Sequence, residues 1–327
     1  MDEQLLNQNQ SEDKDSLQFP GFTEWRGSKC LCCKIFKIPL LHQLFCGHWE
    51  VRPFFPIIFL MLSITSMIML GIFVLPYFEI EGAIMLFVEL ILFFMYLLSY
   101  FRIIYDGPGY YPFYYGTQYK PPENEIISPN DENNSPSGII SNDQQLEWCT
   151  QRNEQPPRSI LSKTARRFVL RPEHYSIWAS SWIGKRNHKF FILHAFYGML
   201  YLGIFVIYTS RRLTELFNDS FSIVCVVLSI LCVLAAVFFL VLLSYFISNI
   251  INISVNRTTW EQWNDVNVSS FNTGLCSNIE DVFGSRKHFY CWICPSSPWV
   301  DKSNDDIMQS YFSYNATNNE NIPNCFE

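Results

Sequence analysis

The chain has 327 residues, 49% of them hydrophobic and 17% aromatic, with a formal net charge of −7. That much apolar content exceeds what an ordinary soluble domain carries, and the acidic balance gives no reason to expect nucleic acid as a partner. The charge comes largely from polar stretches: residues 1–16 hold five acids against Lys14, and residues 120–147 hold six against Lys120. Such segments read as solvated and without a packed core.

In chain order, residues 1–53 read as a polar N-terminal tail with no secretory signal, the first apolar run starting only after it. Cys30, Cys32 and Cys33 crowd beside Lys29, Lys34 and Lys37. The eleven cysteines do not form a disulfide framework, and this cluster reads either as reduced thiols or as a juxtamembrane acylation site. Four long apolar runs follow: Phe54–Phe78, Ala83–Tyr105, Phe190–Tyr208 and Phe221–Asn249. Each is long enough to cross ~30 Å of hydrocarbon at ~1.5 Å rise per residue. The expectation is an all-α membrane protein with four transmembrane helices, placed in segments 54–105 and 190–249. Glu89 lies inside the second run and reads as a structural group of the bundle.

Between these pairs, residues 106–147 read as a linker and 148–189 as a small basic and aromatic module. Residues 250–327 read as a C-terminal tail. Lys120, Arg152, Arg158, Lys163, Arg166, Arg167, Arg171, Lys185, Arg186 and Lys189 fill the central loop, whereas the turn Glu79–Gly82 has no basic residue. By the positive-inside rule both termini and the central loop are cytosolic, in an endomembrane or the plasma membrane. Arg211 and Arg212, between the third and fourth runs, point the other way. Cys291-Trp292-Ile293-Cys294 has metal or redox spacing but no second pair nearby, and reads as two cytosolic thiols.

Four stretches carry a resemblance. Asp106-Gly107-Pro108-Gly109 follows the second run, and residues 155–191 contain Pro156-Pro157-Arg158-Ser159, Val169-Leu170-Arg171, His174, Trp178, Gly184 and Asn187-His188. Thr258-Thr259-Trp260-Glu261 follows the fourth run, and Asn278 precedes Val282-Phe283-Gly284. In this order and spacing they resemble the DHHC palmitoyltransferase family over roughly residues 50–290. The resemblance implies a four-helix membrane bundle whose cytosolic module, a cysteine-rich domain, lies between helices two and three. It implies transfer of an acyl chain from CoA to a cysteine and on to a protein thiol. It also marks Asp106, Thr258, Thr259, Glu261 and Asn278 as structural motif positions.

The departures fall on the chemistry. The family's Asp-His-His-Cys aligns with Glu173-His174-Tyr175-Ser176, the candidate catalytic positions. The family's eight zinc ligands align with Cys149, Arg152, Leu161, Ser162, Ala165, Phe168, Tyr175 and Trp182, of which only Cys149 is a ligand type, so no metal is expected. A serine hydroxyl is a far weaker nucleophile than a thiolate. The expected function is therefore an inactive family member acting as a scaffold, an acyl-CoA or lipid binder, or a partner of protein substrates or an active enzyme. The alternatives are acyl transfer by unusual Ser176 chemistry and, from another class, a transporter. Arg166, Arg167, Arg171, Lys185, Arg186 and Lys189 are candidate contacts to CoA phosphates or lipid headgroups.

Overall fold

The computed structural model describes residues 28–30, 33–38, 43–46, 49–110, 158–162, 167–219 and 222–298. Three continuous helical stretches in it are long and apolar enough to cross a membrane: Phe54–Asp106, His188–Asn218 and Ile223–Ser254. The first is not one rod. Helix α1 (Phe54–Met69) runs into a π-helical turn at Leu70–Val74 and a 3-10 turn at Leu75–Phe78, and α2 (Glu79–Asp106) follows. Pro76 removes a backbone donor at the break, and Glu79 takes a φ of 47°. The chain doubles back there, because a Cβ on Gly71 would lie 3.6 Å from Leu86 Cδ1. Fifteen residues along a straight helix would separate them by roughly 22 Å. Gly82 makes the turn possible: a Cβ there would stand 1.8 Å from the Leu75 carbonyl oxygen.

Helices α3 (His188–Asp219) and α4 (Ile223–Ser254) complete the bundle. Its shared core includes Leu70, Val74, Leu75, Tyr96, Tyr201, Phe205, Leu228 and Leu242. The outer faces carry exposed Ile57, Phe87, Phe94, Ile207, Val233 and Leu240, as a lipid-facing surface would. Glu89 is fully buried in this bundle, and neither carboxylate oxygen has a hydrogen-bond partner among the described residues.

The all-α expectation needs correction, since the described residues also contain strands. An antiparallel sheet of order β1-β2-β3-β4 comprises β1 (Ser28–Cys30), β2 (Cys33–Ile38), β3 (Gln43–Cys46) and β4 (Trp49–Glu50). Between α2 and α3 lie two hairpins. In one, β5 (Ser159–Ser162) pairs with β6 (Arg167–Leu170), Ile160 facing Val169. In the other, β7 (His174–Ser176) pairs with β8 (Ser181–Ile183), Tyr175 facing Trp182. Segments this short cannot nucleate a helix, and β-branched and aromatic residues suit a pleated surface.

Tertiary hydrogen bonds seat the hairpins on the bundle. The Tyr100 hydroxyl on α2 donates to the Trp178 carbonyl at 2.7 Å, and Trp49 Nε1 donates to the Ala179 carbonyl at 3.0 Å. The Asp106–Gly109 segment threads through the module: Leu170 N donates to the Gly109 carbonyl and Arg186 N to the Pro108 carbonyl. Gly184 leaves room for that crossing, since a Cβ there would come within 2.6 Å of the Pro108 oxygen. A short helix α5 (Thr259–Trp263) and a helix α6 (Leu275–Phe283) pack beneath, where Ile192, Ile253 and Val282 share a small core.

Candidate functional site

Glu173-His174-Tyr175-Ser176 lies at the start of the second hairpin, where the module meets α3, α4 and α5. Its four side chains do different things. Glu173 is fully buried. Its carboxylate accepts hydrogen bonds from the Thr259 hydroxyl and, at 3.1 Å, from the Thr259 backbone N–H, while Trp260 N donates to the Glu173 carbonyl at 3.0 Å. A carboxylate at the first turn of a helix satisfies donors that have no partner within it. Burial raises the Glu173 pKa, partly countered by the Thr259 bonds and the charge of Arg171.

His174 stacks on Tyr245 of α4, ring centroids 5.3 Å apart, and meets Phe191 of α3 edge-on at 4.8 Å. Burial lowers its pKa to about 4, so the ring is neutral at pH 7. Its side chain makes no hydrogen bond to another described residue. The Ser176 hydroxyl accepts the Ala179 N–H at 3.3 Å inside the hairpin turn. The three residues therefore do not form a hydrogen-bonded relay: the Glu173 carboxylate turns to α5, and the Ser176 hydroxyl turns to its own loop. Tyr175 packs edge-on against Trp182 at 5.9 Å, and Trp182 Nε1 donates to Ser162 Oγ at 3.1 Å.

Behind this strand lies a buried polar junction. Thr258 and Glu261 form a capping box at the start of α5. The same Glu261 carboxylate takes a two-pronged grip from Arg158, Nε to Oε1 at 2.6 Å and Nη2 to Oε2 at 2.7 Å. Both side chains are at most 2% exposed. Arg158 also donates to the Asn256 side-chain and backbone oxygens, and its guanidinium lies 4.7 Å from the Phe271 ring. Burial raises the Glu261 pKa, but the charge and hydrogen bonds of Arg158, with Arg171 and the Thr258 N–H, outweigh it and hold it below the usual carboxylate value. Arg158, Arg171 and Asn256 have φ values of 47°, 47° and 51°, a region side chains other than glycine rarely adopt. Three such residues joined by hydrogen bonds mark a conformation that the surroundings impose.

The basic candidates separate. Arg166 lies outside the described residues, and of Arg167 only the strand backbone is described. Arg171 is 1% exposed; it donates to Asn256 Oδ1 at 3.0 Å and lies 3.8 Å from Asp281 Oδ2. Lys185 Nζ bonds the Asp281 carboxylate and carbonyl, and burial lowers its pKa to about 7. Lys189 Nζ donates to the Cys291 and Ser296 carbonyls. Arg186 is half-buried, 4.0 Å from Asp106, which also pairs with Arg102 at 2.9 Å. Asn278 is buried and ties Ser254, Asn272 and Thr273 together. Cys149, Arg152 and Ala165 lie outside the described residues, as do residues 111–147 of the linker, residues 299–327 of the C-terminal tail and Cys32.

Sequence reasoning did not single out Arg158, Asn256 and Asp281 as site residues. The available signal was an arginine in Pro156-Pro157-Arg158-Ser159 and an acid in each C-terminal motif, opposite charges with no local partner. Nor did it bring Tyr245, Trp260 and Trp263 to His174. Nothing in their spacing does so, because they meet only across three elements.

The DHHC palmitoyltransferase family model matches residues 142–266. The chain is 28% identical over 229 residues to "Probable protein S-acyltransferase 12" of Arabidopsis thaliana, covering 65% of this chain and 73% of that one. It is 29% identical over 150 residues to "Palmitoyltransferase ZDHHC20-A" of Danio rerio, covering 42% and 40%, and 30% identical over 146 residues to "Palmitoyltransferase ZDHHC15" of Homo sapiens, covering 40% and 41%.

Proposed function

Because this chain belongs to the DHHC palmitoyltransferase family, we propose that it is a multi-pass membrane member that retains the family frame without its acyl-transfer step. On this reading it serves as a scaffold, as a binder of lipid or acyl-CoA, or as a partner of protein substrates or of an active enzyme. The observation that carries the reading is Ser176. A hydroxyl stands at the nucleophile position, it accepts a backbone N–H within its turn, and the carboxylate of Glu173 is bonded to Thr259 and not to His174. A serine needs an aligned base throughout the reaction.

The zinc ligands bear on the same point. At the described family-equivalent positions Ser162, Phe168, Tyr175 and Trp182 there is no thiolate or imidazole. A ring pair and a Trp182–Ser162 hydrogen bond lie there instead, so these residues do not fit a tetrahedral zinc site. We read the packing as taking over its bracing role. Of the basic residues, Arg171, Lys185 and Lys189 are buried against internal partners, whereas Arg186 is half-buried beside Asp106, which makes it the most exposed described candidate for a phosphate.

The topology belongs to the same proposal. The reversal at Leu75–Glu79 supports reading Phe54–Asp106 as two crossings, giving four spans with both termini cytosolic. Of the sequons, Asn218 alone then lies on the far side, and Asn133, Asn252, Asn256, Asn267 and Asn315 carry no glycan. A glycosidase-sensitive mass on any of these five reverses the orientation.

Labelling of the purified chain with long-chain acyl-CoA tests the function. The expected result is saturable binding with no label at residue 176. Hydroxylamine-resistant label that disappears in Ser176→Ala refutes the reading and establishes the second one, serine-based transfer, for which the neutral His174 ring is the supporting observation. Ser176→Cys alone is expected to recover no activity.

A further inference from the structure

The cavity beside His174 has a chemistry of its own. It is a half-open hollow of about 220 Å³ lined, among the described residues, by Glu173, His174, Thr259 and five aromatic side chains: Tyr175, Trp182, Tyr245, Trp260 and Trp263. These come from the second hairpin, from α4 and from α5, so three elements must assemble to make it. Trp263 and Tyr245 stand exposed at 75% and 40%, which places aromatic surface at the mouth, while Glu173 is fully buried.

The lining decides what can enter. Neither lysine nor arginine is among these residues, and the imidazole is neutral at pH 7. The polar groups are a carboxylate that accepts two hydrogen bonds from Thr259 and a threonine that supplies them. The ring faces favour positive charge, Glu173 adds a buried acceptor already bonded to Thr259, and none of the described lining residues favours a phosphate. A compact ammonium ion keeps its water strongly and would ask for several acceptors. An alkylated ammonium presents carbon outward with diffuse charge, and aromatic enclosures recognise that combination. The volume lies below the ~300 Å³ at which pockets begin to hold drug-sized ligands, so a small head group fits and a nucleotide does not.

We propose that this aromatic enclosure, formed by Tyr175, Trp182, Tyr245, Trp260 and Trp263 around Glu173, binds a quaternary ammonium group such as the choline moiety of a lipid headgroup or a free choline-like solute. On the proposed four-span reading, the site lies near the end of α4 and the start of α5, close to the depth of headgroups. The assignment rests on the lining residues and holds whether or not Ser176 carries an acyl group.

The test uses the full chain in nanodiscs of phosphatidylglycerol, with choline chloride as the probe and saturation-transfer NMR of its methyl protons as the readout. The control is 3,3-dimethylbutan-1-ol, the uncharged carbon isostere of choline. Choline is expected to bind saturably and at least about threefold more tightly than the isostere. Because Trp263 is exposed, Trp263→Leu should fold normally and weaken choline about threefold to fivefold, with Trp263→Tyr retaining it. Trp260→Leu should weaken it more; should that variant fail to fold, Trp263→Leu still decides. Equal binding of choline and isostere, no saturable binding, or a Trp263→Leu variant indistinguishable from wild type overturns the proposal. Adding phosphatidylcholine to the discs separates the sources. A fall in apparent choline affinity identifies the lipid headgroup as occupant, and unchanged affinity identifies a free solute, the site standing in either case.

Discussion

Two carboxylates are buried to the same degree in this protein, and they live differently. Glu261, in the junction under the hairpins, is gripped by Arg158 through two hydrogen bonds and closes a capping box with Thr258. Glu89, in the middle of the helix bundle, has no hydrogen-bond partner among the described residues. Burial alone therefore says nothing about what a charged group contributes. In the junction, ionic groups define how three separate stretches of chain meet. In the bundle, apolar and aromatic packing carries the assembly, and the carboxyl is tolerated.

The comparison is broken most forcefully at Arg158. Arg158→Ala leaves Glu261 buried without its counter-charge, and the expected loss is about 3–5 kcal/mol in equilibrium unfolding of the detergent-solubilised protein. The double change Arg158→Met with Glu261→Leu should recover most of that, because removing both charges leaves neither uncompensated. A double variant as unstable as the single one would show that the pair does more than satisfy itself.

A smaller effect is expected at Gly184. Gly184→Ala drives a methyl group to within 2.6 Å of the Pro108 oxygen and 2.9 Å of the Leu170 oxygen. The module must then shift off the Asp106–Gly109 segment, at about 1–3 kcal/mol. Unchanged melting would mean that the segment is not clamped as described.

The pH dependence sharpens the contrast. The folded-state pKa of Glu261 lies below the ordinary glutamate value of 4.5. Its contribution is therefore complete above pH 4.5 and is lost as pH falls through the lower folded value. Asp281 is lowered in the same sense by Lys185 and Arg171, which outweigh its burial. Glu173, whose pKa is raised, works in the opposite direction. Subtracting the stability-versus-pH curve of Glu261→Gln from that of wild type isolates the first component. A flat difference from pH 6 down to pH 2.5 would remove the electrostatic account of the junction.

The smallest effect is expected at Glu89. Replacing an unpartnered buried carboxyl by leucine should be neutral or stabilising by about 1 kcal/mol. A loss comparable to that of Arg158→Ala would give Glu89 a partner and erase the difference between the two regions.

Much of this organisation is legible from the chain alone. Apolar runs of spanning length identify the bundle, because hydrocarbon thickness sets a minimum helix length irrespective of partners. Thr258 and Glu261 are legible only as family motif positions, and the structure shows their three-residue spacing to be a capping box, a local interaction. The substitutions at Ser176, Phe168, Tyr175 and Trp182 are visible as residue types, and residue type bounds the chemistry available. What the sequence could not decide is which charges meet. Arg158 and Glu261 are separated by 103 residues, and Lys185 and Asp281 by 96. Arg171 and Lys185 read as surface cations in a basic stretch and are instead enclosed. The hairpins, too, escape helical reasoning, since three- and four-residue strands carry too little periodicity to separate from loop. The enclosure around His174 was beyond reach for the same reason: only the packing of α4, α5 and the second hairpin against one another brings Tyr245, Trp260 and Trp182 to a common wall. Local propensity and length are properties of a segment, whereas burial and pairing belong to the assembled whole.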